Sequence, residues 1–192
     1  MENIKSLILE NRSYRCFRPN FPIMEDELTE MVDCARLCPS GGNKQPLKYK
    51  IVQEESEKAL VLANIHLAAL LPDRHSPPQG HEPAAYIVVA CDKSVAEPSA
   101  AQFDAGIATQ SILLCAASLG YGGCIIGNFN REALAAGFGF DDSIVPMLVL
   151  ALGVPDETVL ITNLPANGST AYFRDDRNVH FVPKRQLSDI LL

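Results

Sequence analysis

Two arginines flank a serine and a tyrosine in NRSYR, residues 11–15, where a helix-like run has just ended and Pro19 and Pro22 prevent another from starting. Guanidinium forks beside a hydroxyl (Arg12, Ser13 and Arg15) are the chemistry of phosphate recognition. A second basic pair, Lys184 and Arg185 in VPKR, lies near the other end of the chain. Each cluster taken singly reads as a solvated basic turn. Brought together, the two would hold one dianion.

Two further stretches have the composition of ligand-facing backbone. In CPSGGNKQP (38–46), a helical pattern stops at Pro39 and is followed by Ser40, two glycines, Asn43 and Gln45. This is either a surface turn or a rigid loop whose amides and short side chains face a ligand. In YGGCIIGN (121–128), Gly120 and Gly122 are followed by Ile125 where a third glycine would complete GxGxxG, and no GxxxxGK[ST] occurs. The dinucleotide and P-loop readings therefore fail. A glycine-rich strand or turn that brings backbone close to a flat ligand stays open.

Other chemistry is sparse. There is no HExxH, no GxSxG and no CxxC among Cys16, Cys34, Cys38, Cys91, Cys115 and Cys124. Several of these cysteines sit in apolar runs, as small hydrophobes do, and their scatter suits reduced thiols. His66, His75, His81 and His180 are scattered and read as surface or packing residues. No nucleophile, metal set or acid–base pair is expected, so an enzyme built this way would lean on a cofactor. The net charge of −7 disfavours nucleic acid as a partner. The N-terminus lacks a signal-peptide layout and no run approaches ~20 apolar residues, so a cytoplasmic protein with no membrane partner is expected.

The elements that must position these residues follow from periodicity. Ile4, Leu7 and Ile8 suggest a short amphipathic opening helix, and Leu28, Met31, Val32 and Ala35 the buried face of a second one behind Glu25, Asp26 and Glu27. Strands are predicted at 47–53, 85–91 and 145–153, the last two as continuous apolar runs. A helix is predicted over 55–71, a proline-rich loop over 72–83, and a short helix from Arg131 behind Asn130 as N-cap. The longest helix, 99–119, shows Phe103, Ile107, Gln110, Leu114 and Ala117 at spacings of three and four. Helices and strands mingle without clean βαβ units, which argues for an α+β fold in one domain spanning 1–192.

The order of four segments resembles the FMN-dependent nitroreductase family over nearly the whole chain. These are NRSYRCF, CPSGGNKQP, DAGIATQSILLCAASLGYGGCIIGNF and HFVPKRQL. The resemblance implies a central, mainly antiparallel sheet flanked by helices, in a homodimer that exchanges segments and holds two FMN molecules at its interface. Arg12, Ser13, Arg15, Lys184 and Arg185 would hold the phosphate and ribityl chain. Pro39, Ser40, Gly41 and Asn43 would approach the flavin from the other subunit, and Ile125, Ile126, Gly127 and Asn128 would lie along the isoalloxazine. It implies ping-pong transfer of reducing equivalents from NAD(P)H to a small electrophile such as a nitroaromatic or quinone. A flavin-dependent dehalogenase and a flavin sensor or store without turnover are the alternatives. The chain departs from the family pattern at Asn11, where many relatives carry arginine, and at Leu47, where tryptophan is frequent.

Overall fold

The computed structural model describes residues 3–67 and 77–192. Helices α1 (Ile4–Glu10) and α2 (Glu25–Arg36) precede strand β1 (Leu47–Val52), helix α3 (Glu55–Asn64) and strand β2 (Ala85–Asp92). Helix α4 (Gln102–Ser118), strand β3 (Gly122–Ile126), helix α5 (Arg131–Gly137) and strand β4 (Ile144–Gly153) follow. The chain then forms β5 (Val159–Asn163), β6 (Phe173–Arg174) and β7 (His180–Lys184). Residues 68–71 of the expected third helix and 72–76 of the proline-rich loop lie outside the described residues.

The central sheet runs β1-β2-β4-β3, and every neighbouring pair is antiparallel. Alternation along its strands feeds two cores. Ile87, Val89, Leu150 and Leu152 face α2 and α4, which contribute Leu28, Met31, Ala108 and Ile112. Tyr86, Val88, Val149 and Ala151 face the other way, toward Phe17, Val61 of α3 and Leu134 of α5. An antiparallel sheet buried on both faces needs apolar residues at every position, which is why β2 and β4 read as unbroken runs. Full burial of each such side chain stabilises by roughly 1.5–3 kcal/mol.

The α+β architecture with a mainly antiparallel sheet agrees with the expectation, as do the strand positions. Leu28, Met31 and Ala35 are buried in α2, whose first turn carries Glu25, Asp26 and Glu27. Asn130 caps α5 by accepting the Ala133 N–H at 3.1 Å.

Periodicity gives helices α1 and α4 but does not tell which face is buried. Phe103 is 84% exposed, and Ile107 and Gln110 also point outward, while α4 buries Ala105, Ala108, Thr109, Ile112, Leu113 and Ala116. The apolar stripe seen in the sequence is thus the outer face of a helix that is apolar on both sides. Helix α1 buries none of its residues, and Ile4 and Ile8 are exposed.

A second sheet, β5-β7-β6, is formed wholly after the central one, with β5 parallel and β6 antiparallel to β7. Its five-residue strands β5 and β7 carry mixed residues and gave no clear sequence pattern. This small sheet carries Lys184 toward the N-terminal arginines.

Candidate functional site

The segment leaving α1 lies along β3. Ser13 forms a parallel bridge with Gly123, and the Tyr14 N–H donates to the Gly123 carbonyl at 3.0 Å. Only glycine allows this approach. A Cβ at Gly122 would sit 2.4 Å from the Tyr14 ring, and one at Gly123 would sit 2.5 Å from the Ala151 carbonyl oxygen. The glycines of YGGC therefore serve close backbone packing that sets the position of Arg12, Ser13 and Arg15.

Glu157 fixes the far end of that segment. One carboxylate oxygen accepts the backbone N–H groups of Arg15 and Cys16, and the other pairs with the Arg174 guanidinium. Both side chains of the pair are deeply buried, at 1% and 9% exposure, so removing either would strand a charge. The Arg15 guanidinium lies over the Tyr172 ring, 5.3 Å from its centroid.

Arg12, Ser13, Arg15, Ile125 and Lys184 line one cavity of about 250 Å³, together with His180 and Gln110. The two basic clusters from opposite ends of the chain meet there. Strand alternation accounts for the C-terminal contribution: His180, Val182 and Lys184 occupy every second position of β7 and share the face that lines the cavity. Arg185, one position on, is exposed and outside the lining.

Two buried polar atoms in this cavity have no partner, Arg12 Nε and His180 Nδ1. Burial lowers the pKa of Arg12, which means that its charge is disfavoured where it stands. His180 is 2% exposed, and its pKa is pushed down to about 4 by burial first, then by the positive charges of Arg174 and Arg15. Buried polar atoms without partners and crowded positive charge are costly in a folded protein, and an anionic ligand would offset the charge. The residues present therefore fit a phosphate-bearing group. An isolated histidine carried no sequence signal, but its period-two spacing with Val182 and Lys184 would have placed it on their face.

The 38–46 loop is organised differently. The Ser40 hydroxyl donates to Asp104 of α4 at 2.5 Å and accepts the Gln45 N–H at 3.0 Å, and the Gly41 N–H donates to Asp104 at 3.0 Å. Gly42, Asn43 and Gln45 all take positive φ, between 53° and 58°, so the loop is tightly set rather than loosely turned. Pro39 and Ser40 line a separate recess of about 160 Å³ with Arg36, Tyr49 and Asp104. No residue of this loop lines the arginine cavity.

The last segment divides between faces. Ile125 points into the cavity and is 39% exposed, whereas the Ile126 side chain is buried in the core beneath the sheet. Gly127 and Asn128 are exposed beyond the strand and outside the lining; their carbonyls accept from Arg131 and from the His66 N–H.

The nitroreductase family profile matches residues 8–154. A protein of Archaeoglobus fulgidus, provisionally named an NADH dehydrogenase/NAD(P)H nitroreductase, is 28% identical over 163 residues, covering 82% of this chain and 88% of that one. A provisionally named nitroreductase of Exiguobacterium sibiricum 255-15, solved in complex with FMN, superposes with a TM-score of 0.69 at 21% identity, covering 87% of this chain and 95% of the other. CLA-ER, an enone reductase of gut-bacterial fatty acid saturation, superposes with a TM-score of 0.72 at 20% identity, covering 90% and 98%. These last two likenesses speak to the fold.

Proposed function

The chain belongs to the nitroreductase family, and on that premise we propose that it is an FMN-dependent oxidoreductase. It passes reducing equivalents from NADH or NADPH to a small electrophile, such as a nitroaromatic or a quinone, in ping-pong fashion. The observation that carries this reading is the convergence of Arg12, Ser13, Arg15 and Lys184 on one cavity that also holds the unpartnered Arg12 Nε and His180 Nδ1.

FMN, when bound, supplies the two-electron chemistry that the side chains lack. The chain's own residues bind and orient. Arg12, Arg15 and Lys184 hold the phosphate as charged donors, with the Ser13 hydroxyl beside them. Ile125 gives the cavity an apolar wall that excludes water from the ligand's edge. Gly122 and Gly123 keep the arginine segment tight against the sheet.

A homodimer is part of the proposal. At about 250 Å³ the cavity is smaller than the ~300–1,000 Å³ that encloses a drug-sized ligand, so a second wall is needed. The exposed Phe103 and Ile107 of α4, Leu37, and Ile4, Ile8 and Leu9 of α1 form the kind of apolar surface that a second copy covers. Pairing there lets Pro39, Ser40, Gly41 and Asn43 of one subunit approach the flavin of the other. Because Ser40 and Gly41 are already bonded to Asp104, they act as the loop's fixings and Asn43 as its free polar end. The whole chain, 1–192, is read as one domain acting in the cytoplasm; no helix among the described residues is long and apolar enough to cross a membrane.

Anaerobic mixing tests the activity. The FMN-loaded protein is expected to lose its flavin absorbance on adding NADH or NADPH and to regain it on adding a quinone. Flavin that binds but never bleaches with either nucleotide points to a sensor or store. Failure to take up FMN at all removes the reading.

A further inference from the structure

The structure brings a second set of chemically active side chains together behind the arginine segment. Cys16 Sγ, a ring nitrogen of His81 and a carboxylate oxygen of Asp156 all lie within 4.8 Å of one another. The three residues come from the strand-like run after Arg15, the loop preceding β2 and the connection between β4 and β5. Backbone hydrogen bonds hold those segments in place. The Phe17 N–H donates to the His81 carbonyl at 3.1 Å, the Asp156 N–H to the Cys16 carbonyl at 2.9 Å, and the Arg18 N–H to the Val154 carbonyl at 2.8 Å. Phe17 and Pro155 form an antiparallel bridge between two of them. The cluster therefore sits on a rigid frame rather than on mobile side chains of chance neighbours.

We propose that Cys16, His81 and Asp156 form a binding site for one divalent cation of the zinc class, separate from the flavin cavity. Thiolate, imidazole and carboxylate are the three protein ligand types that Zn²⁺ uses, and three of them leave a fourth position for water. Bonds of about 2.0–2.3 Å place tetrahedral ligand atoms ~3.5 Å apart, so separations of up to 4.8 Å have to contract by roughly 1.3 Å at most. His81 and Asp156 are part-exposed and able to move that far, while Cys16 is the buried anchor.

The surroundings suit a cation. Two carboxylates stand near Cys16: Glu157, which accepts its backbone N–H at 3.1 Å, and Asp156 of the cluster itself. A metal ion entering would take the place of the thiol proton, which leaves to solvent. The Phe17 carbonyl stands 3.1 Å from His81 Nδ1 and helps to fix the imidazole ring in its place. Two contacts compete. His81 Nδ1 also lies 3.0 Å from Asp156, and the Arg18 guanidinium reaches the same carboxylate at 3.9 Å. Both are part-exposed polar contacts of small worth, well below the coordination energy of a borderline-soft cation.

The site would clip three segments together behind Arg15 without touching the flavin. It is tested by calorimetric titration of the chelator-treated, FMN-loaded protein with Zn²⁺, and by Co²⁺ difference spectra. The expected result is one Zn²⁺ per chain and a thiolate-to-cobalt charge-transfer band. Cys16→Ser and Asp156→Asn should each weaken binding at least ~10-fold, and Asp156→Asn, at an exposed position, keeps the test valid if Cys16→Ser fails to fold. Cys34→Ser serves as the control, because Cys34 lies in α2, outside the cluster. Absence of saturable binding overturns the proposal. So does binding that survives both ligand variants or is lost with Cys34→Ser. None of these outcomes depends on whether the flavin turns over.

Discussion

The arginine cavity and the 38–46 loop are both made of short polar motifs, yet they spend their hydrogen bonds in opposite ways. In the loop, Ser40 and Gly41 are bonded to Asp104, and Gln45 to Ser40. In the cavity, Arg12 Nε and His180 Nδ1 are buried and unpartnered, and positive charges crowd one another. A satisfied motif is structural scaffolding, whereas one left unsatisfied at a cost of about 1–3 kcal/mol per group is held ready for something else. Substitutions in the two regions should therefore separate affinity from stability.

The largest effect is expected from Arg12→Glu. Losing a charge-assisted contact and adding repulsion should weaken FMN binding by on the order of 100-fold, with the unfolding midpoint of the flavin-free protein nearly unchanged. Lys184→Glu, at an exposed position, should act in the same direction by about 10-fold. Fluorescence titration with FMN measures both, and unchanged affinity in both variants would break the contrast.

Gly123→Ala joins the two behaviours. The new Cβ meets the Ala151 carbonyl oxygen and the Leu113 side chain, so the strand and the docked arginine segment cannot both stay in place. A loss of roughly 1–3 kcal/mol in urea unfolding is expected, together with weaker FMN binding. Loss of stability with full affinity would show that the arginines do not depend on this approach.

Asp104→Ala should behave as the converse of Arg12→Glu. It strips the partners from Ser40 and Gly41 and should cost about 1–3 kcal/mol, or some 3–10 °C in thermal midpoint. FMN affinity should fall less than in Arg12→Glu.

The smallest effect concerns His180. Its folded pKa of about 4 lies below the usual 6.5, so the unfolded chain takes up the proton first as pH falls. Stability should therefore decline between pH 6.5 and pH 4, with this group contributing at most ~1.4 kcal/mol per pH unit. His180→Gln should flatten that part of the curve, as denaturation at several pH values would register. An unchanged slope would mean that His180 is already paired in solution.

The sequence made the buried strands legible because β2 and β4 are apolar on both faces, and it made the termini of α2 and α5 legible through Glu25, Asp26, Glu27 and Asn130. The same property hid the orientation of α4. A helix apolar all round has periodicity without phase, so the spacing of Phe103 and Ile107 does not tell that they are surface. The basic clusters were visible, but their meeting depends on β7 running beside β5, a pairing of short mixed strands. That Ser40 bonds to Asp104 was not legible, because its partner lies far along the chain in α4. Cys16, His81 and Asp156 could not be grouped at all, since only tertiary contacts bring three such distant positions together.

The central claim is that the Arg12, Arg15 and Lys184 cavity is built for a flavin phosphate. Parallel titration of the flavin-free protein with FMN and with riboflavin, which lacks the phosphate, tests it most directly. The account predicts one FMN per chain and riboflavin binding at least ~10-fold weaker, a gap that narrows in Arg12→Glu. Equal affinity for the two flavins, or no binding of either, would contradict it.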